Sequence, residues 1–409
     1  MIEFMHTPIT GIVAEYNPLH FGHRHHMKEA RSLSGAEGII VVLSSNFVQR
    51  GEPALISKWE RTKAALKCGA DLVLELPLVF SSHNAGVFAN AAVDILAMTG
   101  IVTHISFGVE SPDWQMDKIL DILIEEPEPF KFCLKEELDK GCSFVESRAA
   151  ALDRMVPGTA EKLKGSNNSL ALSYMLRIKK KNWKINAVPV MRLGSGYHDN
   201  ELAEFSSATA VRKALSKGKV QEALSRLPDF SAEILKKAIE KGRTCTDEGR
   251  LWNILRSRLI SMDPVDLAKF AEIGEGIEYL LKEKAFASSS FSEWGKACTS
   301  KRYPLGRIQR HGIHILIGLE HWTNRAFQRI GPPYIRVLGM NENGRKMLRR
   351  MRKTASLPVI TRYGAASSIS DTASKVMKYE LIGSEIWEQL ITEGEFGREH
   401  SRKIIISGE

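Results

Sequence analysis

Two histidines stand three residues apart in the string G-I-V-A-E-Y-N-P-L-H-F-G-H, from Gly11 to His23. The string opens as an apolar run, stops at Glu15, turns at Asn17-Pro18 and leads into a helical pattern. In an open α/β sheet, ligands bind beyond the carboxyl ends of strands, often at a helix N-terminus. Free N–H groups and the helix dipole favour anions there. Gly22 lets backbone or ligand approach closely. His20 and His23 can donate hydrogen bonds to phosphate oxygens, or stabilise charge that develops at an attacked phosphorus. On position alone, a solvated patch competes with this phosphate site, because His25 and His26 lie beside the pair. The i, i+3 spacing, with no nearby carboxylate or cysteine set, argues against a metal site.

A second constellation, F-S-S-A-T-A-V-R, runs from Phe205 to Arg212. Ser206 or Ser207 can cap a helix, Thr209 falls in its first turn and Arg212 in its second. Hydroxyls, free N–H groups and a guanidinium can converge on phosphates. An ordinary capped surface helix is the plainer alternative. Further on, K-R-Y-P-L-G-R-I-Q-R places Lys301, Arg302, Arg307 and Arg310 around Tyr303. These residues suit RNA phosphates and the stacking of a splayed base, unless they form a solvated helix face. Lys346, Arg349, Arg350, Arg352 and Lys353 form a weaker second basic patch.

Short apolar runs alternate with helical patterns through the first half. Strands are predicted at Ile9–Glu15, Gly38–Leu43, Asp71–Leu76, His104–Gly108 and Asn186–Met191. Helices are predicted at His25–Ser34, Ser57–Cys68 and Asn84–Met98. Continuous apolar strands separated by helices indicate a parallel sheet covered on both faces, a Rossmann-like α/β fold. Past about Thr244 the pattern becomes mostly helical. The chain of 409 residues therefore reads as an α/β domain, 1–245, and a mostly helical basic domain, 246–409. The net charge of +9 favours a polyanionic partner. Five dispersed cysteines, with no C-x-x-C pair, argue against a disulfide framework and a zinc site and suit a reducing cytoplasm. No apolar run approaches the roughly 20 residues of a membrane span, and no secretory signal pattern opens the chain.

H-x-G-H after a strand resembles the signature of the HIGH-type nucleotidylyltransferase superfamily, and F-S-S-A-T-A-V-R resembles its I-S-S-T-x-x-R motif. Further strings follow in order: S-x-N-F-V-Q-R-G-E-P-A (Ser44–Ala54), S-K-W-E-R (Ser57–Arg61), D-L-V-L-E-L-P (Asp71–Pro77), F-G-V-E (Phe107–Glu110), S-N-N-S-L (Ser166–Leu170), R-L-G-S-G-Y-H-D (Arg192–Asp199) and K-R-Y-P-L-G-R-I-Q-R (Lys301–Arg310). Together they resemble the bacterial tRNA(Met) cytidine acetate ligase family over essentially the whole chain. Leu19 and Phe21 depart from the family pattern at positions that need no reactive group.

The resemblance implies ATP-dependent activation of acetate to acetyl-adenylate. Acetyl is then transferred to N4 of the wobble cytidine, C34, of elongator tRNA(Met), and acetyl-CoA is not used. It further implies catalytic roles for His20, His23, Ser207, Thr209 and Arg212. An ATP loop is implied through Val13, Ala14, Glu15, Tyr16, Asn17, Pro18, Leu19, His20, Phe21, Gly22, His23, Arg24, His25 and His26. Gly108, Asn167 or Asn168, Arg192 and Leu193 would complete nucleotide recognition, unless Arg192 instead faces acetate or the phosphates. Spacing does not separate Asn167 from Asn168. S-N-N-S also reads as an N-cap, and Gly108 as a strand-end turn. Mg²⁺ is expected beside ATP, because the phosphates need charge neutralisation. Gln49, Arg50, Gly51, Glu52 and Pro53, with Lys58, Trp59 and Arg61, could grip acetate, phosphate or RNA, or form a solvated loop. Two other functional classes stay open: a small-molecule nucleotidylyltransferase, and a non-catalytic RNA-binding protein with a nucleotide fold.

Overall fold

A computed structural model describes residues 8–110, 116–163, 165–192 and 207–408. Five strands of the first half lie parallel: β1 (Ile9–Ala14), β2 (Gly38–Ser44), β3 (Leu72–Leu76), β4 (His104–Val109) and β5 (Asn186–Met191). Their order is β5-β4-β1-β2-β3. β1 pairs β2 on one side and β4 on the other, so the winding reverses between β1 and β4. That reversal opens a crevice at the carboxyl ends, where doubly wound sheets bind ligands.

The helices that build the site follow these strands: α1 (Phe21–Ser34), α2 (Lys58–Cys68), α3 (Ala85–Met98), α4 (Ser166–Lys180) and α5 (Ala208–Ser216). α1 begins four residues earlier than its apolar pattern suggests, because the His20 side chain caps it. β2 shows why a sheet covered on both faces reads as an unbroken apolar run. Ile40 and Val42 enter one buried core, while Ile39, Val41 and Leu43 enter another.

The second half supplies α6 (Leu305–Ile317), α7 (His321–Ile330), β6 (Ile335–Met340), α8 (Glu342–Thr354), β7 (Val359–Ile360), α9 (Asp371–Gln389) and β8 (Ile405–Ile406). The sequence pattern gave no strand here, yet three exist. β6 runs antiparallel to β3, and β7 and β8 both pair β6. β6 reads I-R-V-L-G-M, a six-residue apolar run interrupted by an arginine, and its neighbours β7 and β8 have two residues each. Such runs carry too little periodicity to separate a strand from a helix segment. One buried core holds Ile9, Val42 and Leu96 together with Leu251, Ile313 and Trp387. Among the described residues, no helix is long and apolar enough to cross a membrane.

Candidate active site

His20 is the N-cap of α1. Its Nδ1 accepts the Gly22 N–H at 3.1 Å, and His23 Nδ1 accepts the His20 N–H at 3.2 Å. Imidazole thus replaces the usual Ser and Glu in a capping box. Because each Nδ1 accepts, the neutral rings carry their proton on Nε2, which is left as a donor. The two rings stack with centroids 3.8 Å apart, and Tyr16 packs edge-on against His23 at 4.9 Å. Burial pushes His20 down to about 4, helped by the nearby Arg192 charge. It pushes His23 well below the ordinary histidine range, with His20, His26 and Arg192 adding to the shift. Both rings are neutral N–H donors at pH 7. Behind them His26 Nε2 meets Ser106 Oγ at 3.0 Å.

These rings line a cavity of about 450 Å³ at the carboxyl ends of β1 and β4. Val13, Ala14, Glu15, Tyr16, Asn17, Gly22 and His26 line it with them. Pro18, Leu19, Phe21, Arg24 and His25 lie in the same segment but outside that lining. Leu19 is buried and its carbonyl accepts the Ser231 hydroxyl, while Arg24 lies over the Phe21 ring. The expectation that the whole loop meets the nucleotide is narrowed accordingly.

The opposite wall is the start of α5. Ser207 caps it, its Oγ accepting the Ala210 N–H at 3.3 Å. Ser207, Thr209 and Arg212 all face the cavity. Arg212 donates to the Asn17 carbonyl at 2.8 Å and reaches Glu52 at 3.5 Å. The two motifs are 195 residues apart in sequence for the Asn17–Arg212 pair, and the fold closes them on one space. Ser206 and Leu193 lie outside the described residues.

Gly108 and Arg192, at the ends of β4 and β5, complete the rim. A Cβ on Gly108 would come within 3.2 Å of the Arg192 side chain. Asn167 lines the cavity and donates to Glu110 at 2.5 Å. Asn168 does not line it. It is buried, accepting the Glu110 N–H at 2.9 Å and donating to the Lys162 carbonyl at 2.7 Å. Both of its polar ends are engaged in holding the loop to α4, so the pair resolves into one residue on the cavity and one beneath it.

Gln49, Arg50 and Glu52 line the cavity, but Lys58, Trp59 and Arg61 do not. Arg61 is wholly buried and donates to the carbonyls of Glu15, Ser44, Ser45 and Ile56. It ties the ends of β1 and β2 together. Lys58 lies within 2.7 Å of Glu75, Glu380 and Glu399. These three carboxylates are the one set with metal-ligand spacing among the described residues. The Lys58 ammonium and Arg336 occupy their centre.

Phe88, Phe107, Leu170 and Tyr174 also line the cavity. They form an apolar wall to which the sequence reading gave no role, although Phe107 and Leu170 fall within F-G-V-E and S-N-N-S-L. Phe88 and Tyr174 lie in no such string, and their place on the wall follows from the packing of α3 and α4 beside β4.

The predicted RNA patch is less open than its composition suggested. Tyr303 is 7% exposed, its hydroxyl lies on the Gly274 carbonyl at 3.1 Å, and Arg307 covers its ring at 4.3 Å. Arg310 turns inward, its Nε buried and its guanidinium beside Glu272. Tyr303 and Arg310, expected to stack a base and hold phosphate, are thus engaged in packing within the protein. Lys301 and Arg302 are exposed and Arg307 is half-buried.

A family profile described as HIGH Nucleotidyl Transferase matches residues 7–402. A tRNA(Met) cytidine acetate ligase of Thermoanaerobacter sp. (strain X514) is 38% identical over 384 residues, 93% of this chain and 94% of that one. Another of that name, from Acetivibrio thermocellus, is 33% identical over 412 residues, covering 97% and 99%. A crystal structure of Thermotoga maritima TmcAL bound with alpha-thio ATP superposes with a TM-score of 0.92 at 32% identity, over 98% of this chain and 99% of that chain.

Proposed function

The chain belongs to the HIGH nucleotidyl transferase family and, within it, to the tRNA(Met) cytidine acetate ligases, and from that premise we propose how its residues perform the two half-reactions. The substrates are ATP, acetate and elongator tRNA(Met), and the product is N4-acetylcytidine at the wobble position. The observation that carries this reading is the cavity itself. It sits at the winding reversal of the sheet and brings His20 and His23 opposite Ser207, Thr209 and Arg212.

In the first half-reaction an acetate oxygen attacks the α-phosphorus of ATP and pyrophosphate leaves. His20 and His23 offer neutral Nε2–H donors, and α1 offers its N-terminal dipole, to the charge growing on the α-phosphate. Ser207, Thr209 and the start of α5 receive the leaving phosphates, with Arg212 behind them. Asn167, Gly108 and the apolar wall of Phe88, Phe107 and Tyr174 hold the nucleoside. Arg192 meets acetate or the phosphates at the rim.

Mg²⁺ travels with triphosphates and keeps few protein ligands. Glu15 is buried, burial raises its pKa, and it already accepts the Gln49 N–H at 2.8 Å. Glu52 is one-third exposed. Glu52, which lines the cavity 3.5 Å from Arg212, is the carboxylate that would hold such a cation. Such an ion supplies charge neutralisation.

In the second half-reaction the N4 amine attacks the acetyl carbonyl and AMP leaves. The mixed anhydride is already activated, so no protein nucleophile is needed and catalysis consists of positioning and charge stabilisation. Residues 1–245 carry the ATP chemistry, and residues 246–409 carry most of the RNA contacts, through Lys301, Arg302 and Arg307. The test is acetate-dependent exchange of pyrophosphate into ATP without tRNA. His23→Ala should lower it by about 10²–10³-fold and leave tRNA affinity within two-fold. Exchange at the parental rate would remove His23 from the chemistry.

A further inference from the structure

One face of α7 carries an exposed aromatic residue and two exposed arginines to which nothing above assigns a role. Trp322, Arg325 and Arg329 stand at i, i+3 and i+7, a single stripe along a helix. Trp322 is 77% exposed, the highest value among the exposed large hydrophobic residues described. Arg325 and Arg329 are also exposed, and neither pairs with a carboxylate among the described residues. His321 packs edge-on against the indole at 5.1 Å and so limits its motion.

The opposite face of the helix is fixed. Asn324 and Phe327 are buried. Asn324 Oδ1 and Gln328 Nε2 meet His83 Nε2 at 3.2 and 3.0 Å. The His83 carbonyl accepts Gln49 Nε2 at 3.0 Å, and Gln49 lines the ATP cavity. One residue thus separates the anchored face of α7 from the cavity wall, while its outer stripe meets water.

We propose that this stripe docks an unpaired nucleotide of the RNA substrate. The Trp322 indole stacks on the base, and Arg325 and Arg329 hold the flanking phosphates. The proposal rests on the tRNA-substrate reading given above. An aromatic platform between guanidinium groups is the arrangement that binds single-stranded RNA without reading its sequence. Charge complementarity favours RNA over a second copy of this chain. A two-fold contact through this stripe would set four arginines against one another, on a protein whose net charge is already +9.

The test uses the full-length protein and an elongator tRNA(Met) transcript, with affinity measured over a range of salt concentrations. Trp322→Ala should weaken binding about ten-fold, and Trp322→Phe, which keeps a stacking face, should stay within three-fold of the parent. Arg325→Gln with Arg329→Gln should weaken binding and flatten the plot of log affinity against log salt by between one and two units, roughly one per lost phosphate contact. Thermal midpoints at the parental value verify that these exposed substitutions leave the fold intact. Parental affinity and salt slope in every variant would overturn the platform. So would a variant that alters only self-association, since the stripe would then belong to a second copy. If the parent itself binds no tRNA, the substrate reading fails and the platform fails with it. If the parent binds and the variants match it, the platform alone fails.

Discussion

At the residue scale, two adjacent asparagines take different work. Asn167 borders the cavity, while Asn168 is tied to Glu110 and Lys162 beneath it. Asn167→Ala should raise KM for ATP several-fold with stability nearly unchanged. Asn168→Ala removes both hydrogen bonds of a buried side chain, to the Glu110 N–H and the Lys162 carbonyl, at about 1–3 kcal/mol. Denaturant midpoints and exchange kinetics on the two variants separate these outcomes, and equal effects would contradict the division. The histidines make a second prediction. His20 and His26 lie at about 4, lowered first by burial, against about 6.5 in an unfolded chain. Between these values the unfolded chain takes up protons that the folded chain does not. Their contribution is therefore full above about pH 6.5 and is lost as pH falls toward 4, by at most about 1.4 kcal/mol per pH unit per histidine. The denaturant midpoint of the ligand-free protein should fall from pH 7 to pH 5, and less steeply in His26→Gln. A midpoint constant over that range would refute it. His20, His23 and Arg212 were legible because their residue types and spacing are themselves the signal. The split between Asn167 and Asn168 was not, because it depends on which side chain the start of α4 turns inward.

At the scale of elements, the parallel strands β1 to β5 could be read from their apolar runs, and the site inherits its position from them. The loop from Val48 to Pro53 is less legible, since its place is set by a helix more than 250 residues away in the chain. Gly51 has φ of 75°, and a Cβ there would lie 2.5 Å from the Arg310 nitrogen on α6. Only glycine allows that approach of backbone to backbone. Gly51→Ala should push the loop off α6, cost about 1–3 kcal/mol, and raise KM for ATP, because Gln49, Arg50 and Glu52 move with it. A change in stability below about 0.5 kcal/mol, with unaltered kinetics, would show that α6 does not position this wall. β6 was hidden for a related reason. Its pairing with β3 is antiparallel and enters from the distant half of the chain, and six residues give no local sign of it.

At the scale of the molecule, the two halves share one sheet and one core, and a buried charge cluster joins them. Lys58 and Glu75 come from the first half, Arg336, Glu380 and Glu399 from the second. Burial opposes the Lys58 charge, yet the carboxylates of Glu380, Glu399 and Glu75 hold its pKa above the ordinary lysine value. Lys58→Met strands three carboxylates around the single Arg336 and should cost about 3–5 kcal/mol, a large part of the 5–15 kcal/mol typical of a folded protein. Calorimetry reads this directly, and a variant as stable as its parent would contradict the cluster's role as a clamp. Composition announced a basic chain suited to a polyanionic partner. It could not show that Arg310 and Tyr303 turn inward while Trp322 turns outward, because that choice depends on packing between elements. On the proposed reading, this cavity makes an acetyl-adenylate and passes acetyl to RNA. The most direct measurement incubates the protein with ATP, isotopically labelled acetate and total tRNA, then digests the RNA and identifies the labelled nucleoside by mass. Label in N4-acetylcytidine from elongator tRNA(Met), and none when labelled acetyl-CoA replaces ATP and acetate, is the predicted result. Label that stays in a small-molecule nucleotide and never enters RNA would contradict it.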